Sequence, residues 1–208
     1  MHPDLLIRPV GDAAILIDAP DARTVQRLAR WVDDWDDRDG LAEVIPGART
    51  LYVAATRGRL TRLAAELSTA ELPEPQVSTR PRVVTVDVRY DGLDLRDVAA
   101  RTGLSVAEVI DLHTSTDFEV EFFGFAPGQA FLAGLPEVMR LPRRPTPRVR
   151  VPSGAVAVAN EFTVIYPQDS PGGWNLIGTR VSAPLWDISA EPPNRVSVGD
   201  RVRFRPCG

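Results

Sequence analysis

Hydrophobic positions in the first third of the chain follow two different periods. After Asp21, which can cap a helix, apolar residues recur at spacings of three and four: Val25, Leu28, Val32 and Trp35. A second helical pattern lies near residues 60–67, and four strand-like runs surround the two helices: Leu5–Val10, Ala13–Asp18, Glu43–Ile45 and Leu51–Ala54. This succession of strands and helices predicts a small open α/β sandwich.

The pattern changes after residue 82. Asp94 can cap a helix that ends at Gly103, and Ser105 with Glu108 predicts a capping box for a second helix that reaches His113. The other apolar runs are short, rich in β-branched residues and bounded by Pro or Gly: Val83–Val88, Glu119–Phe123, Val149–Val151, Ala155–Ala159, Phe162–Tyr166, Asn175–Ile177 and Arg201–Phe204. Such runs favour a mostly antiparallel barrel or sandwich, so the chain as a whole belongs to the α+β class.

Prolines mark a boundary between these two regions. Residues 68–82 are polar, lack apolar periodicity and contain Pro73, Pro75 and Pro81, which is typical of a linker. We therefore predict an N-terminal domain over residues 1–72, a linker over 73–82 and a second domain over 83–208.

Composition excludes several classes of partner. The 208 residues are 44% hydrophobic and 25% charged with a formal net charge of −4, which is globular composition without a basic field for nucleic acid or anionic membrane. No long apolar run or signal peptide is evident, so a cytoplasmic protein is predicted. Residues 95–113 are spaced like a DNA-binding helix-turn-helix, but the second helix carries Glu108 and Asp111 and no Arg. Because DNA phosphates would repel it, a helical hairpin beside a barrel is the prediction.

The residue types limit the chemistry further. All 24 basic residues are Arg, which excludes a Schiff-base lysine and a P-loop lysine within this chain. Cys207 is the single cysteine and cannot form an internal disulfide. Two histidines occur, His2 and His113, and neither belongs to a cluster with metal-ligand spacing, so no metal site is expected.

Three clusters are candidates for a binding site. The glycine-rich loop 124–128 would let backbone approach a ligand, although it can equally be a tight loop. Segment 142–154 combines prolines with four arginines within Arg143–Arg150, which suits a carboxylate or phosphate but also a solvated loop or a subunit contact. Residues 170–174 predict either a tight turn that presents a hydroxyl and an indole or a simple hairpin.

Together, motifs along nearly the whole chain resemble one family. They are Gly11–Leu16, Val44–Leu51, Gly103–His113, Gly124–Gly128, Thr146–Pro152, Ile165–Pro167, Ser170–Trp174 and Gly199–Phe204. In this order they are similar to the family of 5-oxoprolinase B-type subunits, also called allophanate hydrolase subunit 1. The sequence departs from the usual family pattern at Gln129–Leu132, at Phe162–Pro167 and at Tyr90–Gly92, which leaves the substrate open.

The resemblance implies a ferredoxin-like N-terminal α/β domain and a C-terminal cyclophilin-like β-barrel. It implies partners, homologues of the 5-oxoprolinase C-type and A-type subunits, and ATP as the cofactor of an assembled complex that converts 5-oxoproline to L-glutamate. Two alternatives stay open: a KipI-like inhibitor of a sensor histidine kinase, and a component of an allophanate or urea carboxyltransferase-type amidohydrolase.

We expect an anion site around Arg148, with Arg150 facing away from it. Tyr166 and the 170–174 turn could converge with Arg148, and His113 could complete a polar lining; these three residues, His113, Arg148 and Tyr166, are the predicted catalytic group. Trp174 is also expected to be an exposed interface anchor. The predicted substrate-binding residues are Phe125, Pro127, Gly128, Arg150, Ser153, Ser170, Gly172, Gly173 and Trp174.

Overall fold

The structure is a computed structural model that describes residues 5–74 and 81–207. The chain divides into two compact units, Met1–Val77 and Ser78–Gly208. Most of the predicted 73–82 linker lies outside the described residues, and the predicted domain bounds stay a prediction.

The N-terminal unit is a four-stranded antiparallel sheet in the order β1-β2-β4-β3 with two helices. Its elements are β1 (Leu6–Val10), β2 (Ala14–Asp18), α1 (Ala22–Asp33), β3 (Glu43–Pro46), β4 (Thr50–Ala54) and α2 (Arg57–Leu67), with a short 3-10 helix at Arg38–Gly40. The run β2-α1-β3-β4-α2 follows ferredoxin-like connectivity, and β1 takes the edge beside β2 that a strand after α2 would otherwise occupy.

The core of this unit lies between the sheet and the helices. Val25, Leu28 and Val32 of α1 are fully buried together with apolar residues of α2, because both helices are amphipathic. Helix α1 is capped by Asp21, whose carboxylate accepts from the Thr24 N–H at 2.7 Å, as the sequence predicts. Trp35 lies beyond the end of α1 but is still buried.

The second unit is a closed barrel of seven strands in the order β10-β7-β6-β13-β5-β12-β9. Neighbouring strands are antiparallel except β13 and β5, which are parallel. The barrel strands are β5 (Val83–Arg89), β6 (Phe118–Phe123), β7 (Ala130–Ala133), β9 (Ala155–Ala159), β10 (Phe162–Ile165), β12 (Asn175–Arg180) and β13 (Arg201–Pro206). The α+β class and the barrel are thereby confirmed.

Two further strands form a separate ribbon. Strand β8 (Arg148–Val151) pairs antiparallel with β11 (Ser170–Gly172), so the predicted 170–174 turn begins as a strand. Strand β7 also lies where the sequence pattern predicted no strand. Strands β7 and β11 are short, with four and three residues, which is too little length for an alternating pattern to be visible.

Helices α3 (Leu95–Thr102) and α4 (Val106–Ser115) form the predicted hairpin beside the barrel. Gly103 ends α3 in the left-handed region at φ 73°, and Ser105 with Glu108 forms the complete capping box of α4. The hairpin is tied to the barrel at both ends. Asp94 before α3 accepts from the Leu176 N–H of β12 at 2.8 Å, and His113 of α4 packs on Phe204 of β13.

Candidate functional site

A solvent-open cleft lies at the edge of the barrel, and its enclosed part has a volume of about 20 Å³. Its floor is apolar because it is formed by the buried hydrophobic side chains of Ala130 and Leu132 in β7 and Ile165 in β10. Its remaining walls come from loops and from the end of β12: Gly128, Tyr166, Pro167, Arg180, Pro184, Leu185 and Trp186. The enclosed part holds about one water molecule, so a larger ligand would lie mostly in the open mouth of the cleft.

The glycine-rich loop forms one wall of the cleft by a close contact with an indole. A Cβ built on Gly128 would lie 2.0 Å from Cγ of Trp186, and Gly128 has φ +76°. Both facts require glycine, since a side chain would clash and the backbone is left-handed. Phe125 of the same loop also has a positive φ of 69° and is 69% exposed, which makes it a strained, solvent-facing aromatic.

Arg180 provides the cationic group of the cleft. Its backbone N–H donates to Gly154 O at 2.8 Å, and its guanidinium donates through Nη1 to the carbonyl of Ser182. Within residues 5–74 and 81–207, no carboxylate lies within ion-pair distance of it. Partial burial lowers the pKa of Arg180, although an arginine stays protonated at any physiological pH.

Asp94 organises the arginine-rich segment. Its carboxylate is 4% exposed, and Oδ1 accepts from Nη1 of Arg144 and from Nη2 of Arg148, each at 2.7 Å. Oδ2 accepts from the Leu176 N–H. A buried carboxylate is stable only when it is paired in this way. Arg148 is thereby engaged inside the protein, and its Nη1 is buried with no hydrogen-bond partner among the described residues.

Tyr166 and Trp174 pack beneath the same segment. Tyr166 is buried, and a Cβ on Gly172 would lie 2.2 Å from its hydroxyl, so glycine permits the close approach of strand and phenol. Burial raises the pKa of the Tyr166 hydroxyl, which is therefore neutral at physiological pH. The Arg143 guanidinium lies 5.4 Å from the ring centroid of Trp174, and Phe131 meets the same indole edge to face.

The prediction that Trp174 is exposed was wrong. The side chain is 5% exposed because Arg143 and Phe131 cover it, and the Gly173 carbonyl accepts from the Arg144 N–H at 2.6 Å. Ser170 also has a buried hydroxyl, for which no hydrogen-bond partner is present in the described ranges. The 170–174 segment therefore supports the arginine-rich segment instead of presenting an anchor to a partner.

Arg150 binds a different carboxylate from Arg148, and strand alternation does not explain this difference, because residues two positions apart on a regular strand share a face. The pairing of β8 with β11 is irregular here, with a register shift between Ser170 and Gly172. Arg150 is 76% exposed and pairs with Asp169 at 2.6 Å. The other oxygen of Asp169 accepts from the Ser153 N–H at 2.8 Å, while Ser153 Oγ donates to Pro167 O. The Ser153 N–H first, and then Arg150, lower the pKa of Asp169. Arg150 and Ser153 therefore form an exposed clasp around one carboxylate.

His113 lies away from the arginine-rich segment, inside the barrel core. It is fully buried, its ring packs 4.4 Å from Phe204 and 5.0 Å from Phe118, and hydrogen bonds link Nδ1 to Tyr90 at 2.8 Å and Nε2 to Thr163 at 2.9 Å. Burial lowers its pKa to about 3, so the imidazole is neutral. The expectation that His113 completes a polar lining with Arg148 does not agree with this placement.

The predicted residues therefore fall into four places. Gly128 and Tyr166 line the cleft, whereas Phe125 is exposed on the loop that carries Gly128 and Pro127. Arg148 lies in the arginine-rich segment, and Gly172, Gly173 and Trp174 lie in the 170–174 segment that packs against it. Arg150 and Ser153 form the exposed clasp, and His113 lies in the core. Sequence reasoning missed Arg180, Trp186 and Asp94 as site residues. In the sequence, Asp94 could be recognised only as a helix cap. Nothing in the sequence marks Arg180, which lies at the end of a strand, as a site residue.

The part of the chain that the structure describes offers no metal centre. No group of three or more His, Cys, Asp or Glu side chains there is arranged to hold a metal ion. Among the same residues, no helix combines the length and the apolar character that crossing a bilayer requires.

Comparison with known proteins defines the class of this chain. Residues 5–196 match the family described as carboxyltransferase domain, subdomain C and D, and the chain belongs to this family. Among its relatives, the B-type subunit of 5-oxoprolinase from Escherichia coli O157:H7 is 34% identical over 95% of this chain and 94% of that protein.

Solved structures share the fold. TTHA0988 superposes with a TM-score of 0.75 and 37% identity over 98% of this chain, which spans 40% of the TTHA0988 chain. The urea amidolyase of Kluyveromyces lactis reaches a TM-score of 0.78 over 98% of this chain and 15% of its own length, with 19% identity. At that identity the likeness shows the fold alone. The predicted membership of the family of 5-oxoprolinase B-type subunits is confirmed.

Proposed function

We propose that this chain is one component of a 5-oxoprolinase complex that converts 5-oxoproline to L-glutamate with hydrolysis of ATP, together with homologues of the A-type and C-type subunits. The observation that carries the proposal is the full-length relation to a protein named as the B-type subunit of 5-oxoprolinase. A complex that uses ATP and an amino-acid derivative is also consistent with the cytoplasmic location that the sequence predicts.

The geometry supports a chain that contributes part of an active site. Opening a stable amide requires an activated oxygen, a nucleophilic water and acid–base groups. The cleft offers a cation and an apolar floor, but its described lining holds no carboxylate or imidazole that could act as a base. His113 is neutral, buried and bonded at both nitrogens, so it is not available to a substrate in the cleft. Partner chains must supply the remaining groups.

The cleft does not fit ATP. A triphosphate carries several negative charges, and proteins hold it with several cations or a backbone cradle. The described lining of the cleft presents Arg180 as its one positive charge, and the chain has no lysine. We therefore assign the nucleotide to a partner chain and the small-molecule substrate to the complex that this chain completes.

Reconstitution tests the proposal. The chain is mixed with purified homologues of the A-type and C-type subunits, and ATP hydrolysis is measured with and without 5-oxoproline. We expect stimulation that depends on all three components and on 5-oxoproline. A mixture that omits this chain, and one that contains an authentic B-type subunit, serve as the negative and positive controls. Absence of stimulation where the authentic protein works, or stimulation by urea or allophanate instead, would contradict the proposal.

Light scattering of the co-expressed chains tests the assembly. We expect a stable hetero-oligomer of this chain with the C-type homologue. Exposed apolar side chains are available for such a contact, since Val149 on β8 is 93% exposed and Phe125 is 69% exposed. Separate monomers that elute apart would show that the two chains do not form the complex.

A further inference from the structure

Arg180 has no anionic partner among the described residues, in contrast to three arginines of β8 and the segment before it. Arg144 and Arg148 bind Asp94, and Arg150 binds Asp169. Arg180 has a single hydrogen-bond acceptor in the described part of the chain, the Ser182 carbonyl, through Nη1. Its remaining donors are left for another group, and its side chain lines the cleft.

A partly buried guanidinium without a counter-charge is complementary to an anion. Burial removes water from the cation, as the lowered pKa of Arg180 indicates, and a carboxylate restores the lost interaction with two parallel hydrogen bonds. A metal ion or a cationic ligand would be repelled. The chemistry of the cleft therefore selects a ligand that carries a carboxylate or a similar planar anion.

The rest of the cleft selects for a small and partly apolar body. Leu132 and Ile165 form a floor that cannot satisfy polar atoms, and the Trp186 indole lies against Gly128 as a flat wall. The enclosed part of the cleft admits only a group of a few atoms, such as a carboxylate, and a small ring attached to that group would lie in the open mouth against these surfaces. A ring that carries one carboxylate therefore matches both the Arg180 cation and the apolar surfaces of the cleft.

We propose that the cleft is the binding subsite for the carboxylate of a small cyclic amide, with Arg180 as the carboxylate ligand and Trp186 as the wall against which the ring packs. The choice of a cyclic amide rests on the proposed function. The preference of the cleft for a carboxylate rests on Arg180 alone, and it holds for any small ring that carries a carboxylate.

A pair of ligands tests the proposal directly. Binding to the full-length chain is measured by calorimetry or NMR titration with 5-oxoproline and with pyrrolidin-2-one, the same ring without the carboxylate. We expect Arg180→Gln to weaken 5-oxoproline binding by roughly tenfold or more, and to leave the weak binding of pyrrolidin-2-one unchanged. Arg203→Gln is the matched control, because Arg203 is exposed and pairs with Asp117 on the outside of the barrel.

The outcomes separate this site from the proposed function. Equal 5-oxoproline binding by wild type and Arg180→Gln, or no binding by the folded wild-type chain, overturns the subsite even where the reconstituted complex hydrolyses ATP. Loss of binding in Arg180→Gln supports the subsite even where the reconstituted complex is inactive. In an active complex, Arg180→Gln should raise KM for 5-oxoproline with a smaller change in kcat, and an unchanged KM would overturn the assignment. Thermal denaturation confirms that each variant is folded.

Discussion

Asp94 and Arg148 are separated by 54 residues in the chain, yet Oδ1 of the aspartate lies 2.7 Å from Nη2 of the arginine. Asp94 also accepts from Arg144 and from the Leu176 N–H, so one buried carboxylate joins the start of α3, the arginine-rich segment and β12. The arginine-rich segment is therefore held in place by a charge network inside the protein.

Removal of the Asp94 carboxylate should destabilise the second unit strongly. Asp94→Ala leaves the partly exposed Arg144 and Arg148 without their counter-charge and the Leu176 N–H without its acceptor, and we expect a loss of about 3 kcal/mol in the free energy of unfolding. Asp169→Ala is the control, because Asp169 is 44% exposed and its partner Arg150 is 76% exposed. That variant should lose about 1 kcal/mol or less. Urea denaturation measures both, and similar losses would refute the structural role of Asp94.

The two arginines of β8 should differ in the same way. Arg148→Ala removes a partly buried partner of Asp94, and we expect it to cost about 2–3 kcal/mol of stability. Arg150→Ala removes an exposed ion pair and should cost less than about 1 kcal/mol. Thermal unfolding of the two variants, compared side by side with wild type, checks the order. An Arg148→Ala variant as stable as Arg150→Ala would mean that Asp94 does not depend on Arg148.

Gly128→Ala tests the wall of the cleft. The added methyl would meet Trp186 at 2.0 Å in a residue with φ +76°, so both the indole and the loop must move. We expect a loss of stability of roughly 2 kcal/mol or more, combining overpacking with left-handed strain, and a change in tryptophan emission. Gly11→Ala is the control, since Gly11 has φ +63° but no atom within 4 Å of the added Cβ. It should show the backbone cost of about 1–2 kcal/mol without a change in emission.

His113 should make stability depend on pH. The folded protein holds the neutral imidazole, with a pKa of about 3 against an ordinary value of 6.5, so the unfolded chain takes up a proton first as the pH falls. The contribution of His113 is complete above pH 6.5 and is lost between pH 6.5 and about 3, by at most about 1.4 kcal/mol per pH unit.

The replacement His113→Gln isolates this effect. Glutamine does not titrate, so the free energy of unfolding of the variant should fall less steeply with acid than that of wild type over the same range. Depressed carboxylate pKa values, such as that of Asp117 beside Arg203, act equally in both proteins and cancel in the difference. Parallel curves for the two proteins would contradict the buried, neutral state of His113.

Local interactions explain what the sequence alone determined. Helix α4 and its capping box follow from Ser105 and Glu108, which lie three residues apart, and α1 follows from the spacing of its apolar residues. These features depend on neighbours within one turn of a helix, and the sequence shows such neighbours directly.

Only the tertiary structure decided which groups meet. The closure of the barrel buries His113 and neutralises it, brings Asp94 to Arg148, and covers Trp174 with Arg143 and Phe131. It also places Arg180 beside Trp186 with no anion from the described residues. Each of these relationships joins residues from different strands or loops, and a charge or hydrogen-bond partner is set by distance in space. A single sequence therefore predicts the strand that carries an arginine, whereas the folded barrel determines whether that arginine is satisfied within the protein or left for a ligand.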